Sequence, residues 1–188
     1  MVCSRRSRRS PWRGWLTVGS IRESHRYEAA LVLKVREAAR ERNMATTVSE
    51  VLKHKGYRVV TVARDQAVAS VVDVLTGNRI GAAPVADENG RLIGIISERD
   101  IIHGLSEHGD AVLALPVDRL MTREAVTCSL EDPIVGLMEV MTNQRIRHLP
   151  VVQDGRLRGI VSIGDVVKQR LAEAQFELDE LRRYITNG

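Results

Sequence analysis

The sequence predicts a mixed α/β protein made of two similar units that pack with pseudo-twofold symmetry. The main observation is an internal repeat. NRIGAAPVADENGRLIGIISERDII begins at Asn78, and NQRIRHLPVVQDGRLRGIVSIGDVV begins at Asn143. Pro84 and Pro150 lie 66 positions apart, and Gly94 and Gly159 lie 65 apart, so the turn between proline and glycine differs by one residue. A unit of about 50 to 60 residues buries only a small core, so we expect the two to pack together.

Composition is the second observation. The chain has 188 residues, 44% of them hydrophobic and 28% charged, which is typical of a soluble globular protein. No apolar run approaches the ~20 residues that span a bilayer, so no membrane span is predicted. Cys3 and Cys128 belong to no CxxC pair, which argues against a disulfide framework and a zinc site. This cysteine usage favours a reducing, cytoplasmic location.

Charge is concentrated in residues 1–43, which carry eleven basic and four acidic residues, whereas the remainder has a net charge of −3. The isoelectric point near 9.4 therefore reflects residues 1–43, the basic leader, and not the repeats. Nucleic acid is for this reason not an expected partner of the repeats. Three interpretations of the Arg-rich residues 1–22 stay open: a disordered basic tail, a targeting peptide, or sequence upstream of the true start at Met44. Residues 24–43 have helical apolar spacing and predict a helix.

The first repeat, residues 47–105, predicts the order helix, strand, helix, strand, strand, helix. Thr47 or Ser49 can cap the first helix and Gly56 can end it, while Gly77 with Asn78 can end the second. The apolar patterns place these elements at 47–54, 58–62, 65–76, 80–86 and 92–96, with a turn at 87–90 and a last helix from Ser97 towards Leu105.

The second repeat, residues 117–170, follows a linker at 106–116 that contains one predicted helical turn. Its predicted elements are helix 117–121, strand 125–128, helix 132–142, strands 147–152 and 157–161, and a helix from Gly164. Residues 171–188 prolong that helix.

The prolonged helix has an apolar seam at alternating spacings of four and three. Two interpretations remain open: the seam packs along its own domain, or it forms a contact between subunits. The seam comprises Val167, Leu171, Ala174, Leu178, Leu181 and Ile185.

GIISERD and GIVSIGD each place a serine at the junction of a strand and a helix, with an aspartate three residues later. Such a pair can form a capping box and have no other role. The same geometry also suits a ligand, because helix N-terminal amides attract phosphate and a carboxylate can hold a ribose diol. Two copies at matching positions favour the ligand-binding interpretation.

Taken together, the strand with Pro-Val and the Gly-apolar-apolar-Ser-x-x-Asp motif resemble a tandem of CBS domains, named after cystathionine β-synthase. The resemblance covers residues 47 to about 170 and implies two repeats of the β-α-β-β-α type. It also implies a regulatory module that binds adenosine-containing ligands (AMP, ADP, ATP, NAD or S-adenosylmethionine) in two clefts between the repeats. AMP and NAD are the expected ligands, and a homodimer is the expected assembly.

The resemblance assigns Ser97 with Asp100, and Ser162 with Asp165, to the phosphate and ribose. It assigns the adenine to apolar slots around 60–62 and 80–84, and around 126–128 and 146–150. The slot residues it implies are Val62, Ile80 and Pro84 in the first cleft and Thr127, Ile146 and Pro150 in the second.

The two clefts differ in charge. Arg99 lies inside the first motif, where the second has Gly164, and Arg147 with His148 precedes Pro150. We expect Arg99, Arg147 and His148 to neutralise a phosphate or pyrophosphate together. The competing interpretation leaves Arg147 and His148 solvated at a strand end.

No catalytic or metal-binding motif is visible: the serines lack a Gly-x-Ser-x-Gly elbow, and there is no Walker loop. The first hypothesis is therefore a non-catalytic adenine-nucleotide sensor. The alternative is an interaction or scaffold protein with vestigial clefts, whose basic leader docks on nucleic acid or a membrane surface.

Overall fold

The computed structural model describes residues 46–187, and the helix predicted at 24–43 lies outside them. The described chain contains five α-helices and two β-hairpins. These elements are α1 (Val48–Lys55), α2 (Val68–Asn78), β1 (Ala82–Ala86), β2 (Leu92–Ser97), α3 (Glu98–His108), α4 (Ile134–Asn143), β3 (His148–Gln153), β4 (Arg156–Ser162) and α5 (Ile163–Asn187). The mixed fold class and the two-repeat architecture are confirmed.

The hairpins of the two repeats have the same register. In β1–β2, Ala82 pairs with Ser97, and in β3–β4, His148 pairs with Ser162. Each hairpin contains a register shift, after Val85 in the first and after Val151 in the second. Because the strands end directly at the motif serines, both hairpins deliver a serine to the first turn of the following helix.

The strands predicted at 58–62 and 125–128 are wrong in extent. Each is reduced to one parallel bridge, Val62 with Val85 and Cys128 with Val151. The hairpin prolines give the reason. The next ladder bond of each strand would be donated by the amide of Pro84 or Pro150, and proline has no N–H.

Other boundaries also shift. The residue that ends α2 in the left-handed conformation is Arg79, with φ 55°, rather than Gly77 or Asn78, which belong to the helix. α3 continues to His108, so the predicted linker begins inside a helix and then forms a 3₁₀ helix at Gly109–Ala114. The helix predicted at 117–121 is a 3₁₀ turn, Val117–Arg119.

The repeats exchange their first helical segments, α1 of the first repeat and the 3₁₀ turn of the second, which the sequence pattern did not predict. Val48 and Leu52 of α1 are fully buried in the core of the second repeat, with Leu149 and Val161 among others. Val117 and Met121, which begin the second repeat, are buried in the core of the first. Each core is therefore completed by the other repeat.

Backbone hydrogen bonds fix this exchange on both sides. The Val48 N–H donates to Asp132 O at 2.9 Å, and the Val117 N–H donates to Gln66 O at 2.9 Å. Close contacts depend on glycine: a Cβ at Gly159 would lie 2.6 Å from Leu52 Cδ1, and one at Gly94 would lie 2.9 Å from Met121 Sδ.

The described part of the seam on α5 does not pack along its own domain. Val166 is fully buried, but Val167, Leu171 and Leu178 are 42%, 67% and 51% exposed. In α3, Ile102 and Leu105 are 67% and 49% exposed. Helices from both repeats thus present apolar side chains to solvent.

Candidate ligand-binding clefts

The two Ser–Asp pairs have nearly identical geometry. Ser97 donates its amide and its hydroxyl to Asp100 Oδ2 at 2.8 and 2.6 Å. Ser162 donates the same two groups to Asp165 Oδ2 at 2.8 and 2.7 Å. All four side chains are half-buried. The duplicated motif therefore produces a duplicated structure, with one carboxylate held at each helix start.

Both pairs also act as helix caps. The amides of Asp100 and Asp165 point to the hydroxyls of their own serines at 3.4 and 3.3 Å. Capping does not use the full hydrogen-bonding capacity of the two carboxylates. The bonds donated by the serines all end on Oδ2, and none of them ends on Oδ1. A cis-diol that donates two hydrogen bonds to one carboxylate requires this second oxygen.

The predicted slot residues come together in both repeats. The Val62 N–H donates to Pro84 O at 3.1 Å, and the Cys128 N–H, next to Thr127, donates to Pro150 O at 3.0 Å. Val62, Pro84 and Pro150 are buried, whereas Ile80, Thr127 and Ile146 are half-buried. Of the six predicted slot residues, the three half-buried ones therefore remain partly accessible to solvent. Thr127 and Cys128 also line a small apolar pocket against α4.

The three predicted cationic residues lie in different surroundings. Arg99 is exposed and donates from Nη1 to Arg145 O of the other repeat at 2.8 Å. Arg147 is exposed, and its carbonyl accepts the Ile163 N–H at 2.9 Å. His148 is half-buried, and its Cε1 lies 3.3 Å from the position of a Cβ on Gly81.

Glu98 approaches the same point from the first repeat, because its Oε2 also lies 3.3 Å from that Cβ position. His148 and Glu98 thus meet over Gly81, at the boundary between the repeats. A side chain larger than hydrogen at Gly81 would crowd both groups.

Lys55 is the residue of the second cleft that sequence reasoning missed. Its Nζ donates to Asp165 Oδ2 at 2.6 Å and to Ile160 O at 3.0 Å. The helix exchange brings it there from α1, over more than 100 positions of sequence. No local pattern around Lys55 signals this contact, since the packing partner belongs to the other repeat.

The charges of this corner shift two pKa values. Burial raises the pKa of Asp165, but hydrogen bonds from Lys55 and Ser162 and the charge of Lys55 outweigh it, so this pKa lies below its usual value. Burial lowers the pKa of His148, and the charges of Lys55 and Arg147 add to this, against the opposing charges of Asp165 and Glu98. The carboxylate is therefore ionised and the imidazole largely neutral at pH 7.

Within residues 46–187, no group of three or more His, Cys, Asp or Glu side chains is arranged to hold a metal ion. Over the same residues, no helix has both the length and the apolar character needed to cross a membrane.

A duplicated hairpin, a Ser–Asp pair at each helix start and exchanged first helices define a class of tandem regulatory repeats. The family model described as "CBS domain" matches residues 46–107 and 117–172. The chain belongs to the CBS-domain family and contains a tandem pair.

Individual relatives agree with this assignment. The chain is 36% identical over 152 residues to the mitochondrial CBS domain-containing protein CBSX3 of Arabidopsis thaliana, covering 77% of this chain and 74% of that protein. A crystal structure of a CBS-domain-containing protein from Agrobacterium tumefaciens aligns with a TM-score of 0.65 and 42% identity, covering 66% of this chain and 99% of that one. The CBS domain pair of protein MJ0100, in complex with 5′-methylthioadenosine and S-adenosyl-L-methionine, aligns with a TM-score of 0.59 and 26% identity, covering 66% of this chain and 98% of that one.

CBS pairs are regulatory modules, and they also occur inside enzymes. The inosine-5′-monophosphate dehydrogenase of Aquifex aeolicus is 31% identical over 113 residues, which cover 59% of this chain but only 22% of the enzyme. The match to this enzyme therefore concerns a small part of its length.

Proposed function

We propose that this protein is a non-catalytic sensor that binds an adenine nucleotide, AMP or NAD, in the clefts of its two CBS repeats. The observation that carries the proposal is the pair of matching Ser–Asp arrangements. In both, the serine holds the carboxylate by Oδ2, and Oδ1 takes part in none of these bonds. A carboxylate fixed in this way is preorganised to accept the two hydroxyls of a ribose.

The adenosine part of the ligand defines the recognition that both clefts share. Asp100 or Asp165 accepts the ribose hydroxyls, and the base lies against the half-buried side chain of Ile80 or Ile146. Methylthioadenosine and S-adenosylmethionine, which the MJ0100 domain pair binds, share an adenosine unit with AMP and NAD. This common unit supports an adenosine-containing ligand. Which group is accepted at the 5′ position of the ribose is determined by the other residues of each cleft.

The 5′ substituent is expected to be a phosphate because the boundary between the repeats is rich in donors. Arg99 reaches across to Arg145, and His148 lies at the same boundary beside Gly81. Arg147 precedes His148 and is exposed, so its guanidinium is available to a phosphate without displacing a buried contact. Glu98 reduces the net positive charge of this region, which disfavours a highly charged triphosphate.

Calorimetric titration with AMP, NAD and ATP tests the proposal. We expect saturable binding of AMP or NAD, and a loss of at least about tenfold in affinity when Ser162→Ala and Asp165→Ala are combined, because charge-assisted hydrogen bonds to the ribose are removed. Asp154→Asn is the matched control, since it removes a carboxylate from an exposed turn. If none of the three nucleotides gives heat or stabilises the protein thermally, the sensor function is refuted.

The serines are proposed to position carboxylates and not to attack substrates. Each hydroxyl donates its proton to its own aspartate, and the structure pairs neither hydroxyl with a histidine of the described chain. Mass spectrometry of AMP or NAD after prolonged incubation with the protein should recover the nucleotide intact. Turnover that disappears with Ser97→Ala or Ser162→Ala would contradict this assignment.

A homodimer is proposed as the form that transmits occupancy. Ile102 and Leu105 of α3, and Val167 and Leu171 of α5, are between 42% and 67% exposed. These side chains follow the motif aspartates on the same two helices. A second copy that covered them would therefore be rigidly connected to both clefts.

A further inference from the structure

Lys55 distinguishes the second cleft from the first. Its ammonium group lies 2.6 Å from Asp165 Oδ2, with side chains that are 36% and 23% exposed for the lysine and the aspartate. A second hydrogen bond, to Ile160 O at 3.0 Å, fixes the ammonium group beside the strand that leads to Ser162. Asp165 Oδ2 consequently accepts three donors, two from Ser162 and one from Lys55.

The first cleft is built differently at the equivalent place. There the carbonyl of Ile95 accepts the Thr122 N–H at 2.9 Å, so a backbone amide takes the role that Lys55 has at Ile160. Glu124 occupies the position that corresponds to Lys55 when Val117 is aligned with Val48. Among the described residues, no basic side chain lies within ion-pair distance of Asp100.

We propose that Lys55 makes the second cleft selective for phosphorylated ligands, by holding Asp165 until a phosphate offers the ammonium group another partner. The proposal rests on the nucleotide-binding function proposed above. The ribose of a neutral nucleoside competes with Lys55 for the charge of Asp165, and the nucleoside offers the ammonium group no other anion. A nucleotide supplies an anion, to which the ammonium group can turn on the flexible four-carbon stem of the lysine.

His148 places this anion within reach of Lys55. His148 pairs with Ser162 across the β3–β4 ladder. Ser162 and Lys55 both donate to Asp165 Oδ2, so the lysine and the imidazole share one corner of the cleft. The charged and titratable groups that act on His148 are Lys55, Asp165, Glu98 and Arg147. A phosphate beside His148 would therefore lie close to Lys55 as well.

The test compares adenosine with AMP in wild type, Lys55→Met and Lys53→Met, using the amide NMR signals of Ser162 and Ser97 as separate reporters of the two clefts. Lys53→Met is the matched control, because Lys53 is an exposed lysine of the same helix. In the second cleft, we expect Lys55→Met to lower the preference for AMP over adenosine about fivefold, the effect of a partly exposed ion pair. The preference in the first cleft should not change, and Lys53→Met should behave as wild type.

A second readout needs no ligand. Removal of the Lys55 charge should raise the pKa of His148, measured by NMR titration of its ring protons. An unchanged His148 pKa would place the ammonium group outside the cleft and overturn the proposal.

The outcomes also separate this proposal from the proposed function. If AMP binds but Lys55→Met leaves the preference of the second cleft unchanged, the selectivity of Lys55 is refuted and the sensor function stands. If neither adenosine nor AMP binds to either cleft of the wild type, the selectivity of Lys55 fails, and the sensor function fails as well only if NAD and ATP also do not bind.

Discussion

Replacing Asp165 by asparagine, with Asp100→Asn as the matched variant, isolates the contribution of Lys55 to stability. Both substitutions keep the shape of the side chain and weaken the same two bonds from a serine, and both remove a negative charge from a helix N-terminus, at a cost of about 0.5 kcal/mol each. Only Asp165→Asn also breaks an ion pair. Because the lysine is about one-third exposed, we assign this pair no more than about 1 kcal/mol. We therefore expect Asp165→Asn to cost about 0.5 to 1 kcal/mol more than Asp100→Asn.

The measurement is the urea midpoint of each variant at constant m-value. For a chain of this size, the difference corresponds to about 1 to 3 °C in Tm. A double-mutant cycle of Asp165→Asn with Lys55→Met should return the same energy as the coupling between the two side chains. Equal costs for the two asparagine variants, together with a coupling near zero, would show that the ion pair does not form in solution.

The pH dependence follows from the low pKa of Asp165 in the folded protein. A carboxyl group with a lowered folded-state pKa stabilises the protein above the unfolded value, near 3.9 for aspartate, and this contribution is lost as the pH falls through the folded-state pKa. The gap between wild type and Asp165→Asn should therefore persist at pH 5 and shrink below about pH 4. A gap that disappears between pH 7 and pH 5 would refute the assignment to Asp165.

Three further predictions concern packing, proton uptake and assembly. Gly159→Ala should lower the free energy of unfolding by about 1 to 3 kcal/mol, because its Cβ would lie 2.6 Å from Leu52 Cδ1. Gly77→Ala, whose Cβ would have no atom within 4 Å, should raise it by about 0.5 kcal/mol. Urea denaturation of both variants measures these changes. AMP binding should take up protons at pH 7, because a nearby phosphate raises the low pKa of His148. Calorimetry in two buffers of different ionisation enthalpy measures this uptake, and His148→Gln should remove it. Leu171→Glu, at a position 67% exposed, should convert a dimer to a monomer in light scattering without lowering Tm, and an unchanged mass would exclude this face as the interface.

Local sequence patterns were sufficient for the parts of the fold that local forces determine. The hairpins, the helix starts at Ser97 and Ser162, and the Ser–Asp spacing all depend on residues within a few positions of one another. Apolar alternation and capping signals are informative at this range. The roles of these residues in binding a nucleotide stay predictions.

The errors have a common physical origin in long-range pairing. Residues 58–61 have the β-branched composition of a strand, yet the partner strand offers a proline where a donor is needed. The position of Lys55 depends on which core α1 enters, and both cores accept branched apolar side chains of similar size. No property of the helix itself decides between them, so the second cleft could not be completed from the sequence.

The exchange of first helices changes what counts as a separable piece of this protein. The sequence repeat suggests a boundary at residues 106–116. A cut there would separate Val117 and Met121 from the core of the first repeat, and Leu52 from the core of the second repeat. Residues 57–122 instead form one continuous packing unit, inserted into a second unit that is assembled from residues 46–55 and 125–170. The inserted unit can form from contacts that are nearby in the chain, whereas the outer unit must close a loop of roughly 70 residues. We therefore expect the first cleft to be formed before the second during folding, so that Lys55 meets Asp165 only when the whole pair is complete.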